Sequence, residues 1–162
     1  MVQALCWKKF VRWVHDLSTS RAPLPGEARE KAALPARPDA ARGEDEPVRG
    51  EELLLAVTYE MVAFHQRYHH RVPVTAKTLL VDDELMICVM GGVYTDVEKT
   101  MIEVQRSGLV RDARSAFQNA MEGRLIAAVE RLSGRRVLTF MSDHHVGPDI
   151  EIELFFLAPT VV

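Results

Sequence analysis

Apolar residues return every third or fourth position through Leu54, Val57, Met61, Phe64 and Tyr68, a rhythm that predicts a helix over 51–69 with one face in a core. Pro73 ends it. Two short apolar runs follow, 76–81 and 85–90, separated by Asp82-Asp83-Glu84, and that spacing predicts a β-hairpin with a polar turn. Ile87, Cys88 and Val89 are consecutive, so both faces of the second strand should be covered. Gly91-Gly92 breaks the strand, and Thr95-Asp96-Val97-Glu98 has the spacing of a capping box that opens a helix. A pause is expected around Ser107-Gly108. The helical rhythm then runs on through Val110, Ala113, Phe117, Met121, Leu125, Ala128 and Leu132 until Gly134 stops it. A second strand pair, 136–142 and 150–157, is joined by a loop from Asp143 to Asp149. In its last strand Ile150, Ile152, Leu154 and Phe156 alternate with Glu151 and Glu153, which predicts an apolar buried face and a wetter face carrying the glutamates. The order is α-β-β-α-α-β-β. Its economical packing is an α+β fold, a four-stranded, mainly antiparallel sheet with helices on one face.

Ahead of this folded region, over 18–49, large apolar residues nearly vanish and Pro23, Pro25, Pro35, Pro38 and Pro47 recur among Ala, Arg, Glu and Gly. Such a segment has too little apolar area to offset its ordering entropy and is expected to be a disordered linker. The residues before it differ. Cys6, Phe10, Trp13 or Val14, and Leu17 recur at helical spacing between Lys8, Lys9 and Arg12, so 1–17 is expected to form a basic amphipathic helix able to touch a membrane surface. The domain itself is expected over 50–160.

The 162 residues, 48% hydrophobic and 27% charged, fit one globular domain plus a tail. A net charge of -3 with no basic patch in the folded region argues against general nucleic-acid binding. Cys6 and Cys88 lie far apart, a usage that suits reduced thiols and a cytoplasmic protein, peripheral at the membrane if 1–17 anchors it. No stretch of about 18 apolar residues runs without charge, so the chain should not itself conduct ions across a bilayer.

His65 and His69 sit one helical turn apart, as metal ligands can, but Gln66 stands where a zinc protease needs Glu, and the pair equally complements a helix C-terminus. Asp143, His144, His145 and Asp149 make the connection between the last strands a candidate functional loop for acid/base or cation chemistry. If strand geometry continues through them, His144 and His145 face opposite sides of the sheet. Gly91-Gly92 before a helix could present amides to an anion, yet no GxGxxG or GxxxxGK[ST] pattern is present. No catalytic residue, metal ligand or cofactor is assigned from these patterns. An exposed sheet edge would allow a homodimer.

Four stretches in order, Thr95-Asp96-Val97-Glu98-Lys99-Thr100, Arg114-Ser115-Ala116-Phe117-Gln118, the run from Val129 to Val137, and Phe140-Met141-Ser142-Asp143-His144-His145 with Pro148-Asp149, carry a family resemblance. Over 51–159 the chain resembles the MpsC-type domain of the bacterial Na+-translocating membrane-potential-generating system. The resemblance implies an accessory or regulatory component without a membrane span, associated with a sodium- or bicarbonate-linked energising system through larger membrane-protein subunits. It assigns no catalytic role to Glu98, Lys99, Arg114 or His144. The alternative reading of the residues is a small-ligand- or metal-sensing α+β domain around the 143–149 loop and the Gly91–Thr95 turn, with enzymatic activity left open.

Overall fold

The computed structural model describes residues 48–160. The expected helix over 1–17 lies outside them, as does the expected linker apart from Val48 and Arg49. Val48 N already donates to Leu132 O at 2.8 Å. The elements are α1 Gly50–His69, β1 Thr75–Val81, β2 Leu85–Gly91, α2 Asp96–Glu103, α3 Ser107–Ser133, β3 Val137–His145 and β4 Ile150–Leu157. Their order is the expected one, and the strands form one antiparallel sheet ordered β1-β2-β4-β3. The two hairpins therefore adjoin through β2 and β4.

Local chemistry sets the breaks. Asp82 and Asp83 both take the left-handed conformation, which lets a short turn match the twist of the strands it joins. Gly92 has φ +68°, and a Cβ there would fall 2.4 Å from Val74 Cγ2, so the turn out of β2 requires glycine. Thr95 Oγ1 accepts from Glu98 N while Glu98 Oε2 accepts from Thr95 N at 2.7 Å, completing the capping box of α2. Left-handed Gln105 separates α2 from α3, two residues before the expected pause. Gly134, left-handed, closes α3 and donates its N–H to Glu130 O.

Leu53, Val57 and Met61 of α1 and Leu125 and Val129 of α3 pack on Met86, Cys88, Met90, Phe155 and Leu157. Helices α1 and α3 thus share one face of the sheet. Cys88 lies in this core, where burial pushes its thiol up to about 12 and makes it inert.

Three expectations about faces are corrected. The inward side of α1 centres on Leu53, Val57, Met61 and His65, with Leu54 and Phe64 only partly buried against the core and Tyr68 half-buried. That of α3 carries Val110, Arg114, Gln118, Leu125 and Val129, rotated from the apolar stripe. In β4 the assignment is reversed: Glu151 and Glu153 are 0% and 2% exposed on the helix side, whereas Phe156, on the other side, is 39% exposed. The cause is common to all three. Polar side chains from four elements meet beneath the helices, and each supplies the partner that another's burial requires.

On the side of the sheet away from α1 and α3, one cross-strand row is apolar in all four strands and the next in three, with Thr139 beside Phe156. Leu79, Ile87, Leu154 and Met141 stand in one cross-strand row, with Val81, Leu85 and Phe156 in the next. Met141, Phe156 and Val81 are exposed. Lys77 and Asp143 close the row on the other flank with charge.

A buried polar network and the cleft beside it

Because successive strand residues point to opposite faces, Glu151 and Glu153 both project toward α3 once Phe155 and Leu157 are fixed in the core. Across the β3–β4 ladder, Glu151 stands opposite His144 and Glu153 opposite Ser142. Helix α3 lowers Arg114 and Gln118, one turn apart, onto this polar row.

Arg114 is 2% exposed and uses its whole fork. Nε donates to Glu98 Oε1 at 2.7 Å, Nη1 to Glu151 Oε2 at 2.7 Å, and Nη2 to Glu98 Oε2 and Val93 O, both at 2.9 Å. Its guanidinium carbon lies 4.6 Å from the centre of the Tyr94 ring. Burial would drive the positive charge off Arg114, but the bonds and charges of Glu98 and Glu151 outweigh it and raise its pKa. Burial would likewise raise Glu98; the Arg114 and Thr95 bonds hold it down to about 2. Glu98 thus serves as both helix cap and counter-ion.

Glu151 is held down to about 2: burial acts upward, and the hydrogen bond from His65 and the charges of His65 and Arg114 overcome it. An ionised carboxylate only accepts, so His65 Nε2, 2.7 Å from Glu151 Oε1, carries the proton. His69 stacks on His65 and on Phe117 and is lowered to about 4, first by burial and then by the charges of His65 and Arg114. The His65/His69 pair is accounted for by the carboxylate and the aromatic ring. Among the described residues no group of three His, Cys, Asp or Glu is arranged to hold a metal ion.

Gln118 spends both N–H bonds on carboxyls, Nε2 donating at 2.9 Å to Glu151 Oε1 and at 2.9 Å to Glu153 Oε1. Glu153 behaves oppositely to Glu151. Burial, then the negative charge of Glu151, pushes its pKa well above the usual carboxylate range. The two carboxyls are thus shifted in opposite directions, because Glu151 faces a guanidinium and Glu153 does not.

On its outer side this network opens into a cleft of about 350 Å³ between α3 and β3, lined by Gln118, Asn119, Glu122, Phe140, Ser142 and His144. Three buried polar atoms of the lining residues lack a hydrogen-bond partner: Gln118 Oε1, Ser142 Oγ and His144 Nε2.

The candidate loop separates into different roles. Asp143, His144 and His145 belong to β3, which runs three residues further than expected, and their exposure alternates as strand geometry requires. His144 turns to the cleft. His145 turns away, with Nδ1 3.3 Å from Pro148 O, and exposed Asp143 accepts from His144 N. Asp149 accepts from Val93 N at 2.8 Å and from Tyr94 N at 3.3 Å, so the turn amides that could have met an anion hold this carboxylate. The two candidate segments do converge, and they satisfy each other. Sequence reasoning missed Glu151, Glu153, Gln118 and the joint role of Glu98 and Arg114. The available signal was two glutamates within an otherwise apolar final strand.

No helix of the described residues is long and apolar enough to cross a membrane. No curated protein and no solved structure matches the chain significantly. The family model described as "Na+-translocating membrane potential-generating system (MpsC)" matches residues 51–159, which hold the whole sheet, the buried network and the cleft; the chain belongs to the MpsC family.

Proposed function

We propose that this domain is an accessory or regulatory interaction domain of a Na+-linked membrane-potential system, docking through the exposed side of its sheet onto a membrane-protein subunit. The observation that carries the reading is the pair of apolar rows, Leu79-Ile87-Leu154-Met141 and Val81-Leu85-Phe156. Contiguous apolar surface of this kind, rimmed by charge, is characteristic of interaction sites. The occupant follows from the family. A translocating system needs a membrane path, no described helix is long and apolar enough to supply one, and the reading gives that path to a membrane-protein partner.

Met141→Lys places a charge in the centre of the exposed row. Met141 is 54% exposed, so the substitution should change stability by no more than about 0.5 kcal/mol. Recovery of an integral-membrane partner with the tagged full chain from mild-detergent extracts should fall about tenfold or more, as expected for a residue central to an interface. Equal recovery of that partner by variant and wild type would count against the reading, as would recovery of a second copy alone. That last result would support a homodimer.

A second reading, a ligand-sensing domain, is favoured by the three unpartnered polar atoms on residues that line the cleft, Gln118 Oε1, Ser142 Oγ and His144 Nε2.

A further inference from the structure

We propose that the β1 edge of the sheet, with the groove between β1 and α1, is an interface for a second copy of this chain: two β1 strands pair antiparallel about a twofold axis, joining two four-stranded sheets into one of eight strands, and the two α1 helices meet above the join. The inference is independent of the docking surface, which lies on the other side of the sheet and centres on Met141 of the opposite edge strand.

The two edges of the sheet are unequal. On β3 a bulge between Val137 and Thr139 interrupts the ladder, and the Asp143 carboxylate accepts from His144 N at 2.8 Å. Both devices blunt an edge against further pairing. The other edge has neither. The seven residues of β1 keep one register with β2 from Thr75 to Val81, contain no proline, and have no strand on their other side among the described residues. Leu157 N donates to Glu84 O, which fixes the alternation of the ladders, so the N–H and C=O groups of Ala76, Thr78 and Leu80 point outward. Such a row is a template for another strand.

The helix above this edge selects the partner. Glu51, Leu55 and Tyr59 follow one another at four-residue spacing along α1 and form the helix wall of a groove of about 280 Å³. Leu55 is exposed, and Tyr59 Oη is buried without a hydrogen-bond partner. The stripe is complementary to itself reversed. About a twofold axis at Leu55, an antiparallel α1 sets Leu55 against the partner's Leu55 and the Tyr59 hydroxyl against the exposed carboxylate of the partner's Glu51, and symmetry makes the second contact twice. The chain itself thus supplies the acceptor that Tyr59 lacks and the apolar cover that Leu55 lacks. Charge sets the strand register. An axis at Lys77 would oppose two like charges, whereas an axis at Thr78 sets Lys77 against the partner's Leu79 and Ala76 against the partner's Leu80.

Sedimentation velocity of the full chain at about 100 μM should show a dimer that dissociates on dilution. Leu55→Glu puts two like charges at the axis and should raise the dimer Kd at least about tenfold, with the far-UV circular dichroism of the wild type retained. Tyr59→Phe and Glu51→Gln should each weaken the dimer about fivefold, and the double variant little more than either, because both remove the same hydrogen bond. In a Cys6→Ser background, mild oxidation should link Leu55→Cys chains into a covalent dimer and leave Asp112→Cys chains, altered on exposed α3, unlinked; this arm carries the test if Leu55→Glu does not fold. A chain that stays monomeric at about 100 μM would overturn the proposal and leave the edge to a foreign strand. A dimer undiminished by folded Leu55→Glu, or one that links through position 112 and not 55, would overturn it as well.

Discussion

Replacing Arg114 with Met should lower stability by about 3–5 kcal/mol, the cost of leaving buried carboxylates without their counter-ion. By thermal denaturation this is a drop in Tm of roughly 15 °C or more for a domain of this size. The side chain is nearly the right length for the site, so packing is largely kept and the loss is electrostatic. Glu98 and Glu151 lose their guanidinium and Val93 O loses its donor. Arg114→Lys should recover only part, because an ammonium cannot span Glu98, Glu151 and the carbonyl at once. The triple variant Arg114→Met, Glu98→Gln, Glu151→Gln should be more stable than Arg114→Met alone, since the unpaired charges are gone. A triple variant no more stable than the single one would show that Arg114 acts by packing.

The second large effect is on pH dependence. Glu98 and Glu151 are both held down from 4.5 to about 2 in the folded domain. Their stabilisation is fully present above the unfolded value and is lost as pH falls through the folded one, between roughly pH 5 and 2. For Glu98 alone this is on the order of 3 kcal/mol, and Glu151 adds in the same direction. Glu153 works the other way. Its folded pKa is raised, so above pH 4.5 the unfolded chain releases a proton that the folded domain keeps, and stability falls as pH rises. Urea denaturation across pH should show a steep rise from pH 2 to about 5 and a decline beyond it. Glu153→Gln should flatten the decline and leave the acid limb unchanged. A wild-type profile that is level from pH 2 to 5 would contradict the assignment of charges in the network.

The elements were legible because their signals are local. The Thr95/Glu98 capping box, the paired aspartates at 82–83 and Gly134 each act within a few residues, and the periodic apolar positions between them fix helix and strand. Which face turns inward was not legible. The alternation in β4 defines two faces but not which one is covered, and the preference for burying Ile150, Ile152, Leu154 and Phe156 is outweighed once Arg114, Gln118 and His65 satisfy the glutamates opposite. Those partners come from positions 33 to 86 residues away. A charged residue's burial depends on such nonlocal partners, and no window of sequence contains them. The same rearrangement sets the outer face: turning Glu151 and Glu153 under the helices leaves Leu154 and Phe156, with Met141 of the neighbouring strand, on the other side of the sheet.

The docking claim is tested most directly in intact cells, with a photo-crosslinking amino acid in place of Met141 in one strain and of exposed Asp112 on α3 in another. Illumination should join the protein to an integral-membrane subunit from position 141 and not from position 112. Adducts from position 141 only to a second copy of this chain, or membrane-protein adducts from position 112 instead, would contradict the assignment of the open sheet face as the surface that meets the membrane system.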